Sequence, residues 1–146
     1  MDDNKELLTI LEVKDNNFVL NKDVDLSKLN GCKLRLGILC LLGYQEGKDV
    51  VNMNVGFRVL YDEEKKVLFT FSIACKAELN DWKNMSHKEL DVRMNPVVEK
   101  LLDYCYAYLG GALKKHTENT GLNHFYLPVI DVKELMPNLI VKELTE

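Results

Sequence analysis

The sequence predicts an α+β fold in which a four-stranded antiparallel sheet carries one long and one short C-terminal helix on one face. Three segments in the first half of the chain alternate apolar and polar residues with a period of two, which is typical of strands with one buried face. A later segment has apolar residues at spacings of three and four, which is typical of a helix buried along one stripe. No repeat or linker interrupts the sequence, so we expect residues 1–146 to form one domain.

Each of the three alternating segments places its apolar residues on one face of a strand. These faces comprise Leu34, Leu36, Ile38, Cys40 and Leu42; Val51, Met53, Val55, Phe57, Val59 and Tyr61; and Val67, Phe69, Phe71, Ile73, Cys75, Ala77 and Leu79. Gly43–Asp49 and Asp62–Lys66 are polar connections of hairpin length, so consecutive strands should pair antiparallel. A fourth strand is expected at Leu7–Lys14, continuing towards Phe18, and its weaker alternation indicates an edge position.

The start of the long helix is marked by Asn95 and Pro96. An asparagine side chain can accept hydrogen bonds from free backbone donors, and the fixed φ of proline suits the first helical position. The apolar stripe continues to about Asn119, and Gly121 supplies the stop. We expect this stripe to cover the sheet, with seven side chains in contact: Leu101, Leu102, Cys105 and Leu109 over Phe57, Phe69 and Phe71.

An apolar and aromatic loop, Leu122–Pro128, follows the long helix. Asp131 can then cap a short last helix that continues through Met136. Pro137 should end that helix, because proline has no backbone N–H group to donate.

Composition excludes several classes of protein. The chain has 19 Lys and Arg against 23 Asp and Glu, with the basic residues scattered, so it lacks the basic patch that nucleic-acid binding requires. Its longest apolar run, near Leu36–Leu42, is far shorter than the about 20 residues of a membrane-spanning helix. The N-terminal segment is acidic and polar, unlike a secretory signal, so we expect a cytoplasmic protein.

The four cysteines predict neither a disulfide framework nor a zinc site. Cys32, Cys40, Cys75 and Cys105 lie far apart without a C-x-x-C pair, which is typical of isolated, buried thiols in a reducing compartment. Cys105 cannot form a catalytic dyad with His116, since the two would lie about 16 Å apart along one helix. We therefore expect no metal, no cofactor and no enzymatic activity, and look for function in the surfaces.

Two features of the sequence have uses beyond folding. Gly110 and Gly111 interrupt the long helix at a cost of about 1 kcal/mol each relative to alanine, and with Ala107 they form a patch of small residues. We predict that this patch faces another subunit, the alternative being a tolerated kink or packing on the chain's own sheet. The second feature is a set of aromatic residues in loops and at strand ends, which could fill a satellite core or line a groove: Tyr44, Trp82, Phe125 and Tyr126.

Three segments resemble the SecB family of protein-export chaperones. Leu8–Phe18, with its Lys-Asp step before an aromatic residue, resembles the family's first strand. Tyr104–Ala107 and Gly121–Val132 resemble its main helix, its crossover loop with a Leu-Pro step and its short final helix.

This resemblance implies a four-stranded antiparallel sheet with two helices, assembled as a dimer of dimers. It also implies ATP-independent holding of unfolded polypeptide in apolar grooves that include the crossover loop. Together with the exposed aromatics, it predicts a client-binding set consisting of Tyr44, Trp82, Leu122, Phe125, Tyr126 and Leu127.

The chain also departs from the family pattern. Val19 stands where the family usually has an acidic residue that helps to contact the translocase motor SecA, and the acidic C-terminal tail is reduced to Lys142–Glu146. These departures put SecA contact in doubt. Some members of the family guard antitoxins, and that role stays open.

Two other classes of function remain as alternatives. A small-molecule-binding protein or enzyme would have a deep polar pocket between sheet and helices. An adaptor would bind one folded partner and show no preference for unfolded chains.

Overall fold

The computed structural model describes residues 7–16, 18–21, 23, 34–61, 66–118 and 125–144. Within these ranges the chain forms a mixed sheet with one long helix on one face, as the α+β prediction requires. Parts of the predictions lie outside the described residues, namely Cys32, Asp62 and the rest of its connection to residue 65, Asn119, Gly121, Leu122 and the end of the C-terminal tail at Glu146.

The sheet is built around the three strands that alternate in sequence. The strands are β1 (Leu8–Asp15), β2 (Val19–Leu20), β3 (Leu34–Tyr44), β4 (Val50–Tyr61), β5 (Lys66–Leu79) and β6 (Ile140–Glu143). Their order in the sheet is β1-β5-β4-β3-β6, with β2 also paired to β5. The β3–β4 and β4–β5 pairs are antiparallel, and β1 lies antiparallel to β5 at an edge, as predicted.

The predicted number of strands, four, is too low, because the described part of the sheet has six. After β1 the chain returns to β5 as β2, where Asn16 and Asn21 donate backbone hydrogen bonds to Ser72 and Leu68. β6 pairs parallel with Leu41–Tyr44 at the opposite edge. Both added strands are too short to show a period of two in the sequence, and a register shift within β1 weakens its own alternation.

Among the described residues, a 3₁₀ helix, Trp82–Asn84, and two α-helices, α1 (Glu89–Arg93) and α2 (Pro96–Thr117), precede the C-terminal segment. The predicted cap of α2 is confirmed, because Asn95 Oδ1 accepts hydrogen bonds from the backbone N–H groups of Val97 at 2.8 Å and Val98 at 3.4 Å. The short helix α1 was not predicted. Its single turn is too brief for a helical period to appear in the sequence.

The predicted short last helix is wrong in form. Asp131 does cap a helical turn, accepting from the Lys133 backbone N–H at 3.0 Å, but the segment forms two 3₁₀ helices, Val132–Glu134 and Met136–Asn138. Pro137 lies inside the second turn instead of ending a helix, because the first positions of a helical turn do not use the missing N–H group. The two turns lead the chain back to the edge of β3.

The core prediction is confirmed. Seven side chains between the sheet and α2 are buried, with exposed fractions of 4% or less: Phe57, Phe69, Phe71, Leu101, Leu102, Cys105 and Leu109. Four predicted core positions differ. Val67 is only half-buried, because a bulge in the β4–β5 ladder buries Leu68. On β3, Leu36 and Ile38 are also only half-buried, and Leu34 is 37% exposed at the start of the strand.

No helix in the described ranges is long and apolar enough to cross a membrane. Within the same ranges, no three His, Cys, Asp or Glu side chains are grouped so that they could hold a metal ion.

Candidate functional site

Residues 125–130 lie alongside α2 without forming a helix or a strand, and we call them the crossover segment. Phe125, Leu127 and Ile130 are half-buried and pack against the core. Tyr126 and Val129 turn outwards, with exposed fractions of 67% and 104%. The segment therefore presents apolar side chains to solvent while others hold it in place.

Backbone carbonyl groups fix the crossover segment to α2. The Tyr106 hydroxyl donates to the Pro128 carbonyl at 2.7 Å, and Lys114 Nζ donates to the Phe125 carbonyl at 3.2 Å. Lys114 Nζ also lies 3.5 Å from the centre of the Tyr126 ring, in cation-π geometry. Burial raises the pKa of Tyr106, which keeps its hydroxyl protonated as a donor.

Side-chain packing supports the same segment. The Phe125 ring meets the Phe69 ring edge-on, with 5.2 Å between their centres. A Cβ atom on Gly110 would lie 3.9 Å from Leu127 Cδ1, so this glycine lies beneath the crossover segment of its own chain. The sequence signal, a glycine pair in a helix, was visible, but the interpretation as an intersubunit contact did not anticipate this neighbour.

The other two residues of the small-residue patch lie at the surface. Ala107 is exposed, and a Cβ atom on Gly111 would meet nothing within 4 Å. Tyr104 and Tyr108 are exposed on the same helix at 42% and 37%. Their use as a subunit interface stays a prediction.

Tyr44 and Trp82 belong to a different part of the molecule. The Trp82 ring stacks on His87 with 4.4 Å between their centres, and Tyr44 meets Trp82 edge-on at 5.9 Å. Trp82 is 0% exposed, so it has no surface to offer a client in this conformation. Its burial corresponds to the satellite-core alternative, with Tyr44 contributed by β3 and His87 by the segment five residues further along the chain.

The predicted client-binding residues thus fall into two separate groups. Tyr44 pairs with Val51, whereas Phe125 contacts Phe69, which pairs with Val59. Val51 and Val59 both lie on β4, and eight residues of a strand span about 26 Å at the usual rise per residue. Phe125, Tyr126 and Leu127 come together in one surface, and Tyr44 with Trp82 lies near the other end of the sheet.

A feature that the sequence interpretation missed lies on the face of the sheet away from α2. A trough of about 470 Å³ runs across β3, β4 and β5 there. The outward-facing residues that line it are Gly37, Leu39, Gly56, Arg58, Thr70 and Ser72. Two glycines at outward positions of neighbouring strands were the signal, because they remove side chains from an otherwise filled surface.

The three cysteines in the described ranges are buried, as predicted, but Cys75 and Cys105 are not isolated from each other. Cys40, Cys75 and Cys105 are free thiols in the core. A hydrogen bond with Cys75, and burial, raise the pKa of Cys105, while burial raises the pKa of Cys40 to about 11. Thiols with raised pKa values are poor nucleophiles near neutral pH.

His116 joins the C-terminal end of α2 to the end of β1. Its Nε2 atom lies 3.2 Å from Asp15 Oδ2, and its ring stacks on Phe18 at 5.4 Å. The position near the end of the helix agrees with the expectation, but His116 is more exposed than expected, since the residue as a whole lies at the surface and its side chain is 35% exposed.

No protein-family model and no curated protein sequence matches the chain. Among solved structures, it is similar to the Rv1957 SecB-like chaperone of Mycobacterium tuberculosis, determined in complex with a ChAD peptide from the Rv1956 HigA1 antitoxin. The TM-score is 0.57 and the sequence identity 10%, over 84% of this chain and 89% of the other. At that identity the likeness shows a distant relation in fold.

Proposed function

We propose that this protein is an ATP-independent chaperone that holds unfolded polypeptide. The observation that carries the proposal is the crossover segment, whose backbone is fixed to α2 while Tyr126 and Val129 remain 67% and 104% exposed. Large apolar groups held in place lose little entropy when they bind a partner, so they suit the capture of diverse apolar sequences.

Charge and fold support this proposal. The net charge of −4 keeps the protein soluble despite its exposed apolar side chains. The fold resembles that of a SecB-like chaperone seen with an antitoxin peptide, so an antitoxin or another partly folded polypeptide is the partner that we propose. The enzyme alternative has less support, because the trough lies on the face away from the helices.

The proposed client surface consists of Phe125, Tyr126, Leu127 and Val129, and Leu122 stays in it as a prediction from sequence. Tyr44 stays a prediction at a second position, because it is half-buried and distant from the crossover segment. Trp82 leaves the proposed surface, since it is fully buried.

We further propose a cytoplasmic homo-tetramer, a dimer of dimers, with Ala107 and Gly111 in its interface. Gly110 is the weakest member of this predicted interface because Leu127 of the same chain covers it. SecA-dependent export is not part of the proposal. Val19, where the family has an acidic residue, is 55% exposed in β2 and offers no charge.

The test is suppression of aggregation of a chemically denatured, unrelated protein without ATP. The Tyr126→Ser/Val129→Ser variant removes the outward apolar groups and should weaken suppression, while circular dichroism and oligomer size stay unchanged. Leu90→Ser/Met94→Ser is the matched control, because these residues are 67% and 74% exposed but lie at α1. Equal loss in both variants would place client binding elsewhere, and no suppression by the wild type would refute the proposed function.

A further inference from the structure

We infer that the open edge of β3 is a binding site for an extended polypeptide segment that carries an acidic side chain opposite Gly37, held by Arg58. This inference extends the proposed function, because it adds a site with its own selectivity on the side of the sheet away from the crossover segment. It rests on the edge of β3, the direction of its backbone groups and the position of Arg58.

In the part of the chain that the structure describes, one edge of β3 is only partly covered. β4 pairs with all of Leu34–Tyr44, but β6 pairs with Leu41–Tyr44 alone. Among the described residues, none pairs with the outer edge of Leu34–Ile38. An uncovered edge is a template for one more strand.

The backbone groups of alternate residues point to this open edge. The Tyr44 carbonyl accepts from the Leu144 backbone N–H at 2.6 Å, so the polar backbone groups of Tyr44 face β6 and not β4. These directions alternate along a strand, and the β3–β4 register has no bulge. Leu36 and Ile38 therefore direct their N–H and C=O groups to the open edge, whereas Gly37 directs its groups to β4.

Apolar side chains flank the edge on both faces of the sheet. Leu36 and Ile38 point to the helix face yet remain only half-buried, and Leu39 is 60% exposed on the other face. A strand added here would cover these side chains and would satisfy the backbone groups in one step.

Arg58 makes the site selective for charge. A Cβ atom on Gly37 would lie 3.7 Å from Arg58 Cγ and 3.8 Å from Arg58 Nε, so the arginine side chain lies across β3 towards the open edge. A strand paired to β3 would run about 5 Å away, which places an aspartate or glutamate opposite Gly37 within reach of the guanidinium. Arg58 takes part in none of the ion pairs formed within the described ranges.

A labelled peptide tests the site directly, by fluorescence anisotropy with the full-length protein. The peptide alternates valine and threonine, with one central threonine replaced by glutamate. In two methylated versions, the backbone nitrogen atoms of either all the valines or all the threonines carry a methyl group. In a paired strand only one of these sets faces β3, so one version should lose binding and the other should keep it. Equal effects of the two methylations would overturn the inference.

Arg58→Glu tests the charge selectivity. We expect it to weaken binding of the glutamate peptide about ten-fold and to favour a peptide with lysine at that position, since hydrogen bonds between charged groups contribute on this order. Lys76→Glu is the matched control, because it makes the same change in charge on the same face of the sheet but outside the trough. The same weakening in both variants would assign the effect to net charge and refute an Arg58 site.

Hydrogen exchange locates the bound peptide. The amides of Leu36 and Ile38 should gain protection when the peptide binds, whereas the amide of Gly37, already bonded to β4, should not change. Protection confined to the crossover segment would overturn the edge site and leave the proposed function standing. Dissociation of a wild-type oligomer by the peptide would show that a second copy occupies the edge, which would also overturn the inference.

Discussion

Gly56→Ala should destabilise this protein because β4 and β5 approach closely at that residue. A Cβ atom on Gly56 would lie 2.7 Å from Ser72 Cβ and 3.3 Å from the Phe71 carbonyl oxygen. Non-bonded carbon atoms are normally about 3.5–4.0 Å apart, so the two strands would have to separate by about 1 Å. Neither contacting atom is the end of a flexible side chain, so a rotamer change cannot relieve the clash.

Overpacking of this kind costs about 1–3 kcal/mol. In a chain of 146 residues, each kcal/mol changes the melting temperature by about 2–4 °C, so we expect Gly56→Ala to lower it by about 2–12 °C. The free energy of unfolding in urea should fall with an unchanged m-value.

Gly37→Ala is the control, on the neighbouring strand and the same face. There a Cβ atom would meet only the Arg58 side chain, at 3.7 Å, which is an ordinary contact. Replacing glycine by alanine where the backbone allows it reduces the entropy of the unfolded chain, so this variant should gain about 0.5–1 kcal/mol. A neutral or stabilising Gly56→Ala, or equal losses in both variants, would refute the inferred approach of β4 to β5.

Three further perturbations test other parts of the molecule. Asn95→Ala should lower the free energy of unfolding in urea by about 1 kcal/mol, since its side chain accepts from two backbone N–H groups at the start of α2; no loss would show that the cap is dispensable. Gly111→Leu should reduce the oligomer mass measured by light scattering while Gly111→Ala leaves it unchanged, and an unaltered mass in the leucine variant would remove this residue from the interface. Burial raises the pKa of the Cys40 thiol from 9.0 to about 11, so stability should be constant below pH 9 and fall between pH 9 and 11. A Cys40→Ala variant should show a smaller fall over this range, because the pKa of Cys105 is raised as well, and an unchanged fall would refute the assignment to Cys40.

Long elements with a clear period were predictable from the sequence, whereas short ones were not. The buried face of β4 follows from six apolar residues at a period of two, and the cap of α2 follows from Asn95 and Pro96 alone. β2 and β6 have only two and four residues, so no period can identify them. Pro137 was predicted to end a helix from its local sequence alone. It lies instead inside a 3₁₀ turn, because the last segment must return to pair with β3.

In the candidate site, too, some features could be predicted from the sequence and others could not. The exposure of Tyr126 agrees with its position in an apolar loop, because consecutive side chains of an extended segment point to opposite sides and its neighbours Phe125 and Leu127 are the ones that turn inwards. Trp82 looked equally available in the sequence, yet His87 and Tyr44 enclose it through contacts that only the folded chain creates. The open edge of β3 could not be predicted either, since it depends on where β6 stops.

The pairing of β6 with β3 also has a consequence for the order of folding. Leu41 pairs with Ile140, so this ladder closes a loop of about a hundred residues, whereas the β3–β4 and β4–β5 hairpins close short ones. Loop-closure entropy makes such a long-range pairing late, and on the ribosome β6 is synthesised after every strand that it must join. Until then the whole length of β3 is an uncovered edge, so the nascent protein passes through a state with the same exposed strand that we expect its mature form to offer to clients.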